Sequence, residues 1–167
     1  MALHLQYVAL TGFAGLMMAA AFEDLRRLMI PNVLPLALCV LWPLYILPVV
    51  TLAGALSAVG CALLIFVAGA ICFSRGFLGG GDVKLLTAAA LWAGPAQVVS
   101  LLVLTGVLGG VLALFLLVPP GAHIASLARA KLGPADEPPG HRLNTPVPYG
   151  IAIAAAAMIV ILLPHFR

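Results

Sequence analysis

Acids are scarce in this chain, so their positions are the natural place to look for chemistry. Of 167 residues only five are acidic: Glu23, Asp24, Asp82, Asp136 and Glu137. Asp136 and Glu137 stand in a proline-rich stretch, where solvation accounts for them. Glu23 and Asp24 close one apolar run. Asp82 opens another, behind three glycines, in Gly79-Gly80-Gly81-Asp82-Val83-Lys84. Two carboxyls brought face to face share one proton, because repulsion keeps one neutral while the other is charged. The charged member can then activate water while the neutral one acts as an acid. Asp24 and Asp82 are the pair expected here. Each also has a simpler role: Asp24 as a helix-end acid paired with Arg27 three residues on, Asp82 as an anion at a helix N-terminus. Neither role explains the glycines.

Glycine permits backbone conformations closed to other residues and lets a second chain come close. Gly79, Gly80 and Gly81 therefore suit a backbone that bends beside Asp82 or receives an extended peptide there. A peptide within a membrane is normally helical, since no water satisfies its backbone. It must be unwound before a carbonyl becomes accessible.

The elements that position these acids lie in lipid. The chain is 64% hydrophobic and 8% charged, with a mean hydropathy of +1.21; soluble domains average about 45–50% apolar and about 25% charged. The net charge of +3 comes from eight basic residues, too few and too scattered for nucleic-acid binding. Cys39, Cys61 and Cys72 lie inside apolar runs without a CxxC pair and read as small packing residues.

A bilayer crossing needs about 20 apolar residues. Residues 5–22 make one span. Residues 28–74 carry no charge and hold two, reversing near Pro48 and Thr51. Residues 85–122 are again free of charge and break at Ala93-Gly94-Pro95 into a short segment, 82–94, and a full one, 97–118. Residues 143–164 supply the last. The expected fold is an all-α polytopic membrane protein of about six helices, the fourth short and headed by Asp82; the alternative is five spans with 82–94 re-entrant.

With the N-terminus outside, Arg26, Arg27, Arg75, Lys84, Arg129, Lys131 and Arg142 all fall at the cytoplasmic face and only Arg167 outside. Seven of eight on one side is the positive-inside pattern. The apolar N-terminus ending in Ala19-Ala20-Ala21 mimics a signal peptide, but a signal peptide has its positive charge in front. Here Arg26 and Arg27 follow, so the first helix is expected to be retained. Pro119-Pro120-Gly121 and Pro138-Pro139-Gly140 mark 119–146 as a cytoplasmic loop with a short helix around His123 to Leu132. His123 and His141 are there without cysteines or paired carboxylates, and no metal site is expected.

Gly79-Gly80-Gly81-Asp82 resembles the GxGD of polytopic aspartic proteases, and Val83-Lys84-Leu85 extends it as in type IV prepilin peptidases. Asp24, followed by Arg26-Arg27 and Ile30-Pro31-Asn32, is similar to that family's first catalytic aspartate with its trailing I-P-N. Pro148-Tyr149-Gly150 resembles the proline-aromatic-glycine motif opening the family's last span. The likeness covers nearly the whole chain. It implies Asp24 and Asp82 as the catalytic dyad, with Gly79, Gly80, Gly81, Lys84, Pro148, Tyr149 and Gly150 shaping the site. Glu23 does not align. For Lys84, pairing with Asp82 and binding lipid headgroups both stand open. The family cleaves the short basic leader of pilin-like precursors at the cytoplasmic face of the bacterial inner membrane and needs no cofactor. The N-terminal insertion and CxxC motifs of its methylating members have no counterpart here, so the likeness is to the short, peptidase-only form of Flp/Tad pilus systems, a single domain.

A proton-coupled transporter or channel is the reading from another class, since membrane acids also serve as proton relays. Both acids fall near one face rather than the midplane, and no inverted repeat is visible. Gly106-x-x-x-Gly110 is a helix-packing pattern that decides nothing about activity.

Overall fold

A computed structural model of the chain describes residues 2–46, 51–118 and 147–166, with 121, 123, 124, 126 and 127 besides. The described residues are helical: α1 (Ala2–Arg27), α2 (Val33–Ile46), α3 (Leu52–Ser74), α4 (Gly80–Leu117) and α5 (Tyr149–Leu162), which ends in a 3-10 turn. His4–Arg27, Leu52–Ser74 and Gly80–Leu117 are long and apolar enough to cross a membrane; Val33–Ile46 and Tyr149–His165 are shorter. Of the helix expected over 123–132, residues 123, 124, 126 and 127 are described and helical; 128–146 lie outside the described residues, as does Pro48. Thr51 begins the next described segment and caps α3, its Oγ1 accepting the Gly54 N–H at 3.3 Å.

Many small residues face inward and much of the large aliphatic surface faces outward, although Leu38, Leu85, Leu101, Ile153 and Ile161 are buried. Ala88, Ala89, Ala90, Ala154, Ala156 and Ala157 are buried, while Val33, Val40, Leu52, Leu64 and Leu117 are exposed. Lipid solvates leucine as well as a protein core does, so helices gain by close approach rather than by hiding bulk. α5 is buried around most of its circumference, against α4 and α1.

The break expected at Gly94-Pro95 is present as a sharp kink within α4. Gly94 has φ 60° and ψ −177°, a combination that only glycine adopts readily. Contacts on either side give the kink its sense. Val83 lies against Gly69 near the end of α3, Gly94 by Ala58 near its start, and Gly109 against Tyr149. The chain beyond the kink therefore returns to the end of the bundle from which it came. At the far end, Trp92 Nε1 donates to the Leu38 carbonyl at 3.0 Å. The Trp92 ring lies 4.6 Å from Phe13 and 5.0 Å from Tyr45, centroid to centroid, which ties α1, α2 and the first arm of α4 together.

Candidate active site

The end of the bundle opposite Trp92 collects the acids. Asp24 sits in the last turns of α1, 4% exposed, and is the buried charged residue of the described core. Its Oδ2 accepts the backbone N–H of Gly150 at 2.8 Å. Gly150 is the second residue of α5, and the first N–H groups of a helix have no partner within it. A carboxylate from one helix thus caps another, at the end where a helix dipole supports an anion. Pro148, buried, stands at the N-cap position of α5 and offers no side-chain cap of its own.

Asp82 occupies the matching position on α4. It lies in the first turn, half-buried, and its carboxylate accepts the N–H of Gly79. Gly79 is the N-cap residue, so this is the acid-to-backbone half of a capping box. Asp24 lies within electrostatic range of Asp82. Each acid is therefore held at a helix N-terminus, one on its own helix and one on a neighbour's.

The glycines serve close packing. Gly79, Gly80 and Gly81 all keep negative φ; among the described residues positive φ occurs at Leu28, Gly76 and Gly94. Backbone freedom, one of the reasons expected for this run, is therefore not what it supplies. A Cβ on Gly79 would lie 2.8 Å from Asp82 Oδ2, one on Gly80 3.4 Å from the Phe73 ring, and one on Gly81 3.1 Å from Ile30 Cβ. Gly150 is more confined than these three, its Cβ position being 2.8 Å from Asp24 Oδ2 and 2.9 Å from Ile30 Cδ1. The Tyr149 ring fills the space left by Gly109, where a Cβ would come within 2.8 Å of it.

The charges around the pair sort differently from the simplest reading. The acid that Arg27 meets is Glu23, at 3.3 Å, and Arg26 meets Glu23 at 3.8 Å and also stacks on Phe22. Lys84 does not bond Asp82; its Nζ donates to Asn32 Oδ1 at 2.8 Å, where both residues are exposed. That bond joins the Ile30-Pro31-Asn32 corner to α4. A groove of about 340 Å³ opens beside it, lined by Pro35, Leu36, Cys39, Phe66 and Thr87. Cys39 is exposed there and Cys61 and Cys72 are half-buried, all three as free thiols. The buried place of Ile30 and the Gly150 amide as partner of Asp24 were not foreseen. Their one sequence signal was the motif containing each.

Fold and site together define a helical membrane protein in which two acids from distant parts of the chain share one end of the bundle. The type IV leader peptidase family model matches residues 11–114, more than half of the chain, and the protein belongs to that family. It is accordingly a peptidase, a membrane-bound hydrolase. The match includes Asp24 and Asp82 and stops short of Pro148-Tyr149-Gly150. No curated protein and no solved structure matches the chain.

Proposed function

We propose that the protein cleaves the leader peptide of pilin-like precursors at the cytoplasmic face of the bacterial inner membrane, with Asp24 and Asp82 as the dyad that activates water. The observation that carries this reading is the placement of both carboxyls at helix N-termini within electrostatic range of each other, in a chain that belongs to a leader peptidase family. The ionised carboxylate takes a proton from water as the water oxygen attacks the scissile carbonyl. The protonated carboxyl gives its proton to the carbonyl oxygen. The tetrahedral intermediate then collapses: the C–N bond breaks, the leaving nitrogen takes up a proton, and a new carboxylic acid and a free amine result.

In this reading the bundle spans six times with the N-terminus outside. The kink at Gly94 is the outer turn between a short fourth span and a fifth. The 119–146 loop faces the cytoplasm with Arg26, Arg27, Arg75 and Lys84. The chain acts as a single peptidase domain without methylation, on a precursor of the Flp type.

Incubation of the purified protein with a pilin-type precursor, followed by mass mapping of the products, tests the proposal. The expected result is one cut between the basic leader and the apolar helix. An intact precursor in the presence of folded protein overturns it.

A further inference from the structure

Ile30 holds a place that the chemistry just described does not use. It is 8% exposed and lies between the α4 backbone that carries Asp82 and the α5 backbone that bonds Asp24. Its Cβ borders Gly81, next to Asp82, and its Cδ1 borders Gly150, whose N–H is on Asp24. Spacing runs unbroken from Asp24 through Gly150, Ile30 and Gly81 to Asp82. The corner that presents Ile30 is itself pinned at both ends. Leu28 takes φ 53°, a left-handed conformation that strains a non-glycine residue, while its N–H donates to the Asp24 carbonyl at 3.0 Å. Asn32, at the other end, is held by Lys84.

We infer that Ile30 is a positioning residue, a spacer whose side chain sets the separation of Asp24 and Asp82 and so the efficiency of the proton-sharing pair. The inference rests on the dyad reading above. Gly81 and Gly150 lack side chains because the volume between them belongs to Ile30. The corner is short, so Ile30 cannot shift without moving Asp24 on one side or Lys84 on the other. Lys84 acts through Asn32 as the second anchor of this corner.

Titratable and charged side chains near the corner are Glu23, Asp24, Arg26 and Arg27 on α1, Asp82 and Lys84 on α4, Tyr149 on α5 and Arg75 at the end of α3. Changes at Ile30 remove none of these charges. A shift in the pH profile of cleavage therefore reports the spacing of the pair rather than the loss of a charge.

The test measures kcat, KM and the pH profile of precursor cleavage for Ile30→Val and Ile30→Ala beside the parent chain, with thermal unfolding in detergent. Ile30→Val removes only Cδ1, the atom against Gly150, and keeps the fold testable should Ile30→Ala fail to fold. The neighbours close part of the gap left by a truncated side chain, so the carboxyls approach and repel more strongly. The two limbs of the profile should move apart, more in Ala than in Val. Loss of kcat should reach about a hundredfold in Ala, with KM little changed. Limbs that stay at their parental positions or draw together in a folded Ile30→Val variant overturn the spacer. The dyad reading fails separately, through cleavage that persists in Asp24→Asn or Asp82→Asn of the parent chain.

Discussion

The amide of Gly150 meets Asp24 Oδ2 at 2.8 Å across 126 positions of sequence, joining the first helix to the last at the point where the two acids gather. Because the donor is a backbone group, only proline at 150 would remove it. Any other substitution can only displace it.

Gly150→Ala should therefore be severe for a one-methyl change. The new Cβ would lie 2.8 Å from Asp24 Oδ2, 2.9 Å from Ile30 Cδ1 and 3.0 Å from Asp24 Cβ. Overpacking of this kind costs about 1–3 kcal/mol, and relief by moving Asp24 should abolish cleavage. Gly110→Ala, with no described residue within 4 Å of its Cβ position, should behave as the parent. Thermal unfolding and precursor cleavage on the two purified variants check the contrast.

Asp24→Asn and Asp82→Asn should each lower turnover by at least about a hundredfold. The double variant should be no worse than the poorer single one, since groups acting as a unit are non-additive. Glu23→Gln should keep most activity, because Glu23 is engaged with Arg26 and Arg27. The pH profile should be bell-shaped: protonation of both carboxyls removes the base at low pH, and ionisation of both removes the acid at high pH. If the precursor stays intact while both variants lose a proton flux measured in vesicles, a transporter replaces the peptidase.

Gly94→Ala places a side chain at φ 60° and ψ −177° and should cost about 1–3 kcal/mol. Among the described residues its Cβ position meets Ala58 Cβ alone, at 3.9 Å, so backbone strain rather than crowding is the cause. Cleavage per folded molecule should be retained. A lower unfolding temperature with unchanged kcat is the expected pattern.

With Cys39, Cys61 and Cys72 replaced by alanine, a single cysteine in the 121–142 loop should react with a membrane-impermeant maleimide only when the cytoplasmic face is open. Labelling from outside in intact cells would invert the proposed orientation and part the site from its substrates.

Local patterns in the sequence were enough to show an all-helical membrane protein, the break at Gly94-Pro95, and Asp24 and Asp82 as two acids that come within electrostatic range of each other. Charge-free runs and a Gly-Pro step are local signals, and both survive folding unaltered. The partners were not legible in the same way. The three glycines before Asp82 suggested a pliable backbone, yet their φ angles are ordinary and each yields its space to a different neighbour. Arg27 stands within reach of two adjacent acids, and helix geometry selects the one four residues away rather than three. Lys84 lay near Asp82 in sequence but bonds Asn32, 52 positions back. Such pairings are set by how helices dock, which periodicity does not record.

In the proposed reading, capping of the last described helix by Asp24 decides how an inert form suited to trapping a bound precursor should be made. Asparagine at position 24 keeps an oxygen for the Gly150 N–H and holds the start of α5 in place. Alanine would free that N–H and unfasten the helix together with the chemistry. A complex captured on the alanine form would show a loosened enzyme, whereas the asparagine form preserves the architecture that the substrate meets.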